Sequence, residues 1–132
     1  MTRVFKQTDA RVLGLPGRKA LEIVSGAQGA KTITLRLVEI PVPKPGDPPR
    51  LRHYHSDFEE CIFVLSGQGT THSDSGEYKL APGDTLLLSP GDHHATHNTG
   101  AEPLMLLCFF PVPEIASCTE DPAPLQSDSV LE

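Results

Sequence analysis

The chain has no tryptophan, and only 5% of its 132 residues are aromatic, so the core must rest on Leu, Val and Ile. Basic residues are also few. Eleven Lys and Arg stand against 17 Asp and Glu, a formal net charge of −6. A surface that engages phosphates needs a basic patch, so neither nucleic acid nor an anionic membrane is expected as a partner. Cysteine is equally sparse. Cys61, Cys108 and Cys118 are odd in number and form no Cys-x-x-Cys pair, which reads as reduced thiols rather than a disulfide framework or zinc knot. The opening MTRVFKQTDARV lacks an apolar leader, and no stretch approaches the length of a membrane span. A cytoplasmic protein is expected.

What the chain has in quantity is punctuation. Thirteen prolines and 11 glycines separate short apolar runs, and no long segment carries helical periodicity. Ala20 to Ser25 (ALEIVS) reads as a strand. In KTITLRLVEI, Ile33, Leu35 and Leu37 alternate with Thr32, Thr34 and Arg36, which predicts one buried and one polar face. Pro41 to Arg50 cannot be a central strand, because proline donates no ladder hydrogen bond. It reads as a stiff loop. Beyond it, the turn signals SGQG, SDSGE, APGD, SPGD and NTG bound the runs CIFVL, YKL, TLLL, HHATHN and PLMLLCFF. Such even spacing predicts an all-β fold, an antiparallel double-sheet barrel or jelly roll with little or no helix. A single domain over residues 1–110 is expected, followed by a Pro-rich tail over 111–132 that packs loosely on the barrel or on a partner.

All six histidines lie between positions 53 and 97. His53 and His55 are two apart, so on a strand they share a face with Cα atoms roughly 6–7 Å apart. Glu60, Ile62 and Val64 share a face of the next strand, and if the aliphatic pair points inward, so does Glu60. An inward carboxylate is costly unless a cation or metal answers it. Glu60 is therefore the candidate ligand and Glu59 a surface residue. Further on, His94, Thr96 and Asn98 share one face of a strand while His93 and His97 share the other.

At these residues the sequence resembles the cupin family. Its first motif, His-x-His, three or four residues, Glu, six residues, Gly, is met by His53, His55, Glu60 and Gly67, with Gly46 one place from the usual leading glycine. The second, Gly, five residues, Pro-x-Gly, two residues, His, three residues, Asn, is met by Gly83, Ser89-Pro90-Gly91, His94 and Asn98. Ser89 stands where proline is usual, and Pro90 keeps the turn rigid. The resemblance covers about residues 30–110. It implies the metal ligands His53, His55, Glu60 and His94, with Asn98 capping the turn at Thr99-Gly100 and His93 and His97 facing outward.

Three imidazoles and one carboxylate suit one divalent transition metal per chain: iron, manganese, nickel, cobalt or zinc. Coordination positions left open would mark catalysis rather than a structural metal. Two chemistries fit: dioxygenase-type oxidation of a chelating substrate, slightly favoured, and Lewis-acid isomerase, epimerase or lyase chemistry. Glu60, His72 and Thr96 are the catalytic candidates by location, and Tyr54 should point outward. The pocket candidates Leu35, Leu37, Ile62, Val64, Leu86 and Leu88 favour a small, partly apolar substrate. Arg36, Arg50 and Arg52 are placed to steer an anion, although Arg50, in the proline loop, is expected to face solvent. The alternative is a non-catalytic ligand-binding or sensory module. Such modules normally carry an output domain, for which this chain has no room. A homodimer is expected, with the strand material from Arg3 to Leu13 added to the partner's sheet.

Overall fold

The computed structural model describes residues 1–115 and the strand Thr119–Glu120. Two antiparallel sheets face one another as a jelly roll. The larger has six strands in the order β1 (Arg11–Leu13), β2 (Lys19–Val24), β3 (Thr34–Ile40), β10 (Leu104–Phe110), β5 (Glu60–Ser66) and β8 (Thr85–Leu88). The smaller has the order β7 (Gly76–Leu80), β6 (Gly69–Ser73) and β9 (His94–Asn98). A two-residue strand β4 (Tyr54–His55) pairs with β11 (Thr119–Glu120). Helix is confined, among the described residues, to two 3-10 turns, Gln7–Asp9 and Gly26–Gln28. The strand β1 pairs with β2 of its own chain.

The core lies between the sheets and is aliphatic, as the scarcity of aromatics requires. Val38, Ile40, Ile62, Val64, Leu88, Leu104 and Leu106 form its centre, closed at one end by Phe58, Phe110 and Ile115. Of the predicted pocket residues, Ile62, Val64 and Leu88 lie in it and Leu86 packs against it, whereas Leu35 and Leu37 do not. The alternation in β3 runs opposite to expectation. Thr34, Arg36, Val38 and Ile40 point inward, and Ile33 is 41% exposed. Polar satisfaction inside explains this. The Thr34 hydroxyl donates to the Val112 carbonyl at 2.7 Å, and Arg36 donates from Nε and Nη2 to Glu22 at 3.2 and 3.0 Å. Glu22, itself buried, also accepts from Ser25 Oγ and Arg11. Burial works against its charge, but Ser25 and Arg36 outweigh it and hold the carboxyl below its usual range.

Residues 111–115, the start of the proline-rich tail, are tied down by the Thr34 bond, by Gly26 N–H donating to the Pro113 carbonyl at 2.8 Å, and by Ile115 in the core. Apart from Thr119–Glu120, the tail expected beyond Ile115 lies outside the described residues.

Gly67, in the hairpin between β5 and β6, has φ +90°, and a Cβ there would stand 2.6 Å from the Pro103 carbonyl oxygen and 2.8 Å from Leu104 Cα. Both obstacles are backbone, and the Leu104 side chain beyond them is fully buried. Gly67→Ala is expected to cost at least about 2 kcal/mol, from strain and clash together. Urea denaturation should show a lowered midpoint with an unchanged slope.

Candidate metal centre

The two histidine segments are brought together by backbone. His53 and His94 exchange both of their peptide hydrogen bonds, at 2.9 and 2.8 Å, in an isolated antiparallel bridge. Next to it, Gly91 N–H donates to the His55 carbonyl at 2.7 Å, with φ +82° at Gly91. The Ser89-Pro90-Gly91 turn thus docks on the strand carrying the first two histidines. Glu60 enters as the first residue of β5, opposite Leu88, and its alternation with Ile62 and Val64 turns it inward as expected. Glu59 is exposed.

His53, His55, Glu60 and His94 each present one ligand atom, and all four atoms lie within 4.8 Å of one another. Glu60 Oε1 is 3.3 Å from His55 Nε2 and 3.5 Å from His94 Nε2. Donors on one ion with bonds of about 2.1 Å sit roughly 3 to 4.2 Å apart, so the cluster needs only slight contraction to close on a metal. Glu60 Oε1 and His94 Nε2 are buried and make no hydrogen bond. A buried carboxylate oxygen in that state is costly, and a cation at the focus of the four groups removes the cost. The residues fit a metal.

The surroundings set the donors' charge and orientation. The Asp92 carbonyl lies 2.9 Å from His94 Nδ1, so Nδ1 carries the proton and Nε2 is left toward Glu60. Burial and the neighbouring His94 ring drive His53 down to about 3, so it stands neutral. Burial works against the Glu60 charge, yet the His55 and His94 imidazoles outweigh it and hold the carboxyl at about 2. For His94 burial is outweighed by Glu60 and Asp92, and its shift is upward. The His55 ring stacks on Phe58 with centroids 4.9 Å apart and meets the edge of Phe110 at 5.4 Å. The thiol of Cys108, buried on the inner face of β10, is pushed well above its usual range, first by burial and then by Glu60.

Of the other sequence candidates, His72 is not at the centre. It stands on β6 opposite Ala95, on the face away from Thr71 and Thr96, with its ring at the edge of His97 and Nδ1 3.3 Å from Glu77. Thr96 shares the inner face with His94, and its hydroxyl is bonded to that of Thr71 at 2.7 Å. His93 lies outside against Tyr54 and Asp74. Asn98 does structural work: its amide donates to the Ile40 and Glu102 carbonyls, and its oxygen accepts from Gly100 N–H. No sequence pattern marks Phe58, Phe110, Asp92 or Cys108 as neighbours of the centre. For Phe110 and Cys108 the signal was weak, because β10 is apolar on both faces and shows no alternation.

A separate groove of about 590 Å³ is lined by Arg11, Glu22, Arg36, Glu114 and neighbours, and shares no residue with the four ligands. Its charges are balanced. Among the described residues no helix is long and apolar enough to cross a membrane.

Comparison with known proteins agrees with this architecture. The chain is similar in structure to oxalate decarboxylase of Lactobacillus farciminis, with TM-score 0.71 and 23% identity over 86% of this chain, which spans about a third (34%) of that protein's length. It is similar to the polyketide cyclase RemF of Streptomyces resistomycificus, with TM-score 0.69 and 20% identity over 98% of this chain and 90% of that one. The Streptomyces nucleoside dehydratase Pac13 aligns with TM-score 0.76 at 9% identity, over 98% of both chains. Such identities speak for the fold alone. No curated protein sequence matches. The Cupin_2 family model, a cupin domain, matches residues 39–110, which include all four clustered donors and both backbone bridges, and the chain belongs to that family.

Proposed function

We propose that the protein is a metal-dependent enzyme acting on a small molecule, with His53, His55, Glu60 and His94 as the ligands of one divalent first-row metal. The observation that carries this reading is the buried, unbonded Glu60 oxygen at the focus of three imidazoles. A metal held there would supply Lewis acidity and open coordination positions, and iron or manganese would add redox chemistry. The chain's own part is to hold three imidazoles and one carboxylate in place. Phe58, Phe110, Ile62 and Leu88 keep water from one side of the site.

Between the two chemistries, oxidation by dioxygen is favoured. Isomerase and lyase reactions need a group that takes and returns a proton at the substrate. Neither remaining candidate offers one, since His72 faces away and the Thr96 hydroxyl is engaged by Thr71. An apolar wall also suits a small apolar gas. Polyketide cyclase and nucleoside dehydratase neighbours keep non-oxidative chemistry as the second reading.

A homodimer is part of the same proposal. The outer face of the six-stranded sheet carries Phe63, Leu65, Leu87 and Phe109, each 39% exposed or more, around Leu35, Leu107 and Cys61. Such a contiguous apolar patch, roughly several hundred Å², exceeds what scattered surface residues give and suits a self-complementary two-fold contact.

Three outcomes are expected. Elemental analysis of protein purified without chelator should find close to one transition metal per chain, and His94→Ala should have almost none. No metal after anaerobic reconstitution would remove the enzyme reading in favour of a metal-free binding module. Metal affinity should fall as pH drops through the raised His94 pKa, by about tenfold per pH unit below it, because one proton then competes for Nε2. Competition with a chromophoric chelator between pH 8 and 5 reads this, and a flat profile would contradict it. Light scattering at micromolar concentration should give twice the chain mass, and Phe63→Glu with Leu87→Glu should halve it.

A further inference from the structure

Among the described residues, Arg18 and Arg50 have no acid to answer them. Arg18 lies in the turn between β1 and β2, and Arg50 at the end of the proline loop, three residues before His53. Arg50 donates from Nη1 to the Gly17 carbonyl at 3.3 Å, and Arg18 donates from Nη1 to the Pro16 carbonyl at 3.0 Å. Two consecutive carbonyls of one turn therefore each accept from one of the two guanidiniums. Gly17 makes the approach possible: its φ is +74°, and a Cβ there would lie 3.2 Å from Arg50 Nη1.

Of the other arginines, Arg3 lies over the Phe5 ring and the remaining three are matched by acids. Arg11 and Arg36 bind Glu22, and Arg52 binds Asp74. Among the described residues, no carboxylate lies within 4.0 Å of Arg18 or Arg50. Both side chains are half-buried, and Arg50 Nε is buried with no hydrogen-bond partner. Burial and the charge of Arg18 push Arg50 down to about 10. Arg50 stands three residues before His53, whose backbone bridges His94, so the pair is tied to the segment that enters the centre. Like charges held together, partly out of water and without a counter-ion, are unfavourable until an anion bridges them. A guanidinium pair meets carboxylate or phosphate oxygens with parallel N–H donors.

We infer that Arg18 and Arg50 form an oxyanion subsite beside the metal centre, which makes the substrate a small molecule with a carboxylate or phosphate group held there while its reacting end meets the metal. The substrate half of this statement rests on the metal-centre reading above, whereas the anion subsite stands without it.

The test is calorimetric titration of the full chain, metal-loaded and metal-free, with malonate, inorganic phosphate and the neutral propane-1,3-diol. Wild-type protein should bind malonate or phosphate in both forms and ignore the diol, and the tighter of the two anions names the class. Arg18→Gln and Arg50→Gln should each weaken binding about tenfold or more, and the double variant should abolish it. Gly17→Ala should weaken it by displacing Arg50, while Arg52→Gln should not. Metal content should be unchanged in all of them. Removing one of two repelling charges should leave the melting temperature of the anion-free Arg18→Gln protein unchanged or raised, which a purely structural arginine would not do. Equal anion binding by wild type and double variant, or none by wild type at millimolar concentration, overturns the subsite. Failure of the wild-type protein to take up any metal, with its anion binding intact, overturns the metal reading and leaves the subsite standing.

Discussion

A carboxylate buried among imidazoles is the constraint around which the molecule is arranged. Glu60 could have been avoided at little cost to the core, since Ile62 and Val64 follow it on the same face and an aliphatic residue would continue the run. Its charge is kept, and every nearby device serves it. His55 and His94 hold it ionised, the Asp92 carbonyl aims His94 toward it, and the Phe58 and Phe110 rings fix His55. Without a cation the arrangement is a stability cost, because one oxygen is buried without a hydrogen bond. With one it becomes a closed electrostatic unit.

The same logic, satisfaction of buried charge, runs through the rest of the interior. Glu22 is neutralised by Arg36 and Arg11 and bonded by Ser25, so that part of the barrel is polar yet quiet. Arg36 also lies 5.6 Å over the Phe110 ring, the ring that touches His55. The structural ion pair and the candidate metal centre are thus separated by a single aromatic side chain. One cluster is complete as it stands. The other is complete only with an added ion.

Much of this was legible in the sequence, where local spacing carried the information. His53, His55 and Glu60 are read from period-two alternation, and the turns from glycine and proline, so the strand limits of β8 and β10 follow almost residue for residue. The face of β3 is ambiguous in the sequence because each face mixes apolar and polar residues, Leu35, Leu37 and Glu39 on one and Thr34, Arg36, Val38 and Ile40 on the other, and alternation then has two solutions. Only the partners decide, and Glu22 and Val112 are far away in the chain. The proline loop points Arg50 to solvent, yet the side chain is half-buried. The turn at Gly17 that receives it lies 33 residues earlier, and no local pattern links the two. Position along the chain does not separate Thr96 from His72, and the cross-strand register places one inside and the other out.

The backbone bridge between His53 and His94 has a consequence for how the ligand set comes into being. Three donors lie within eight residues, but the fourth arrives only when a segment of about 40 residues has been closed into a loop, with the entropy cost of that closure. Preference among divalent ions depends on the number and spacing of donors, so it is a property of the finished barrel and not of the emerging chain. Folding comes first, and the choice of ion follows from it.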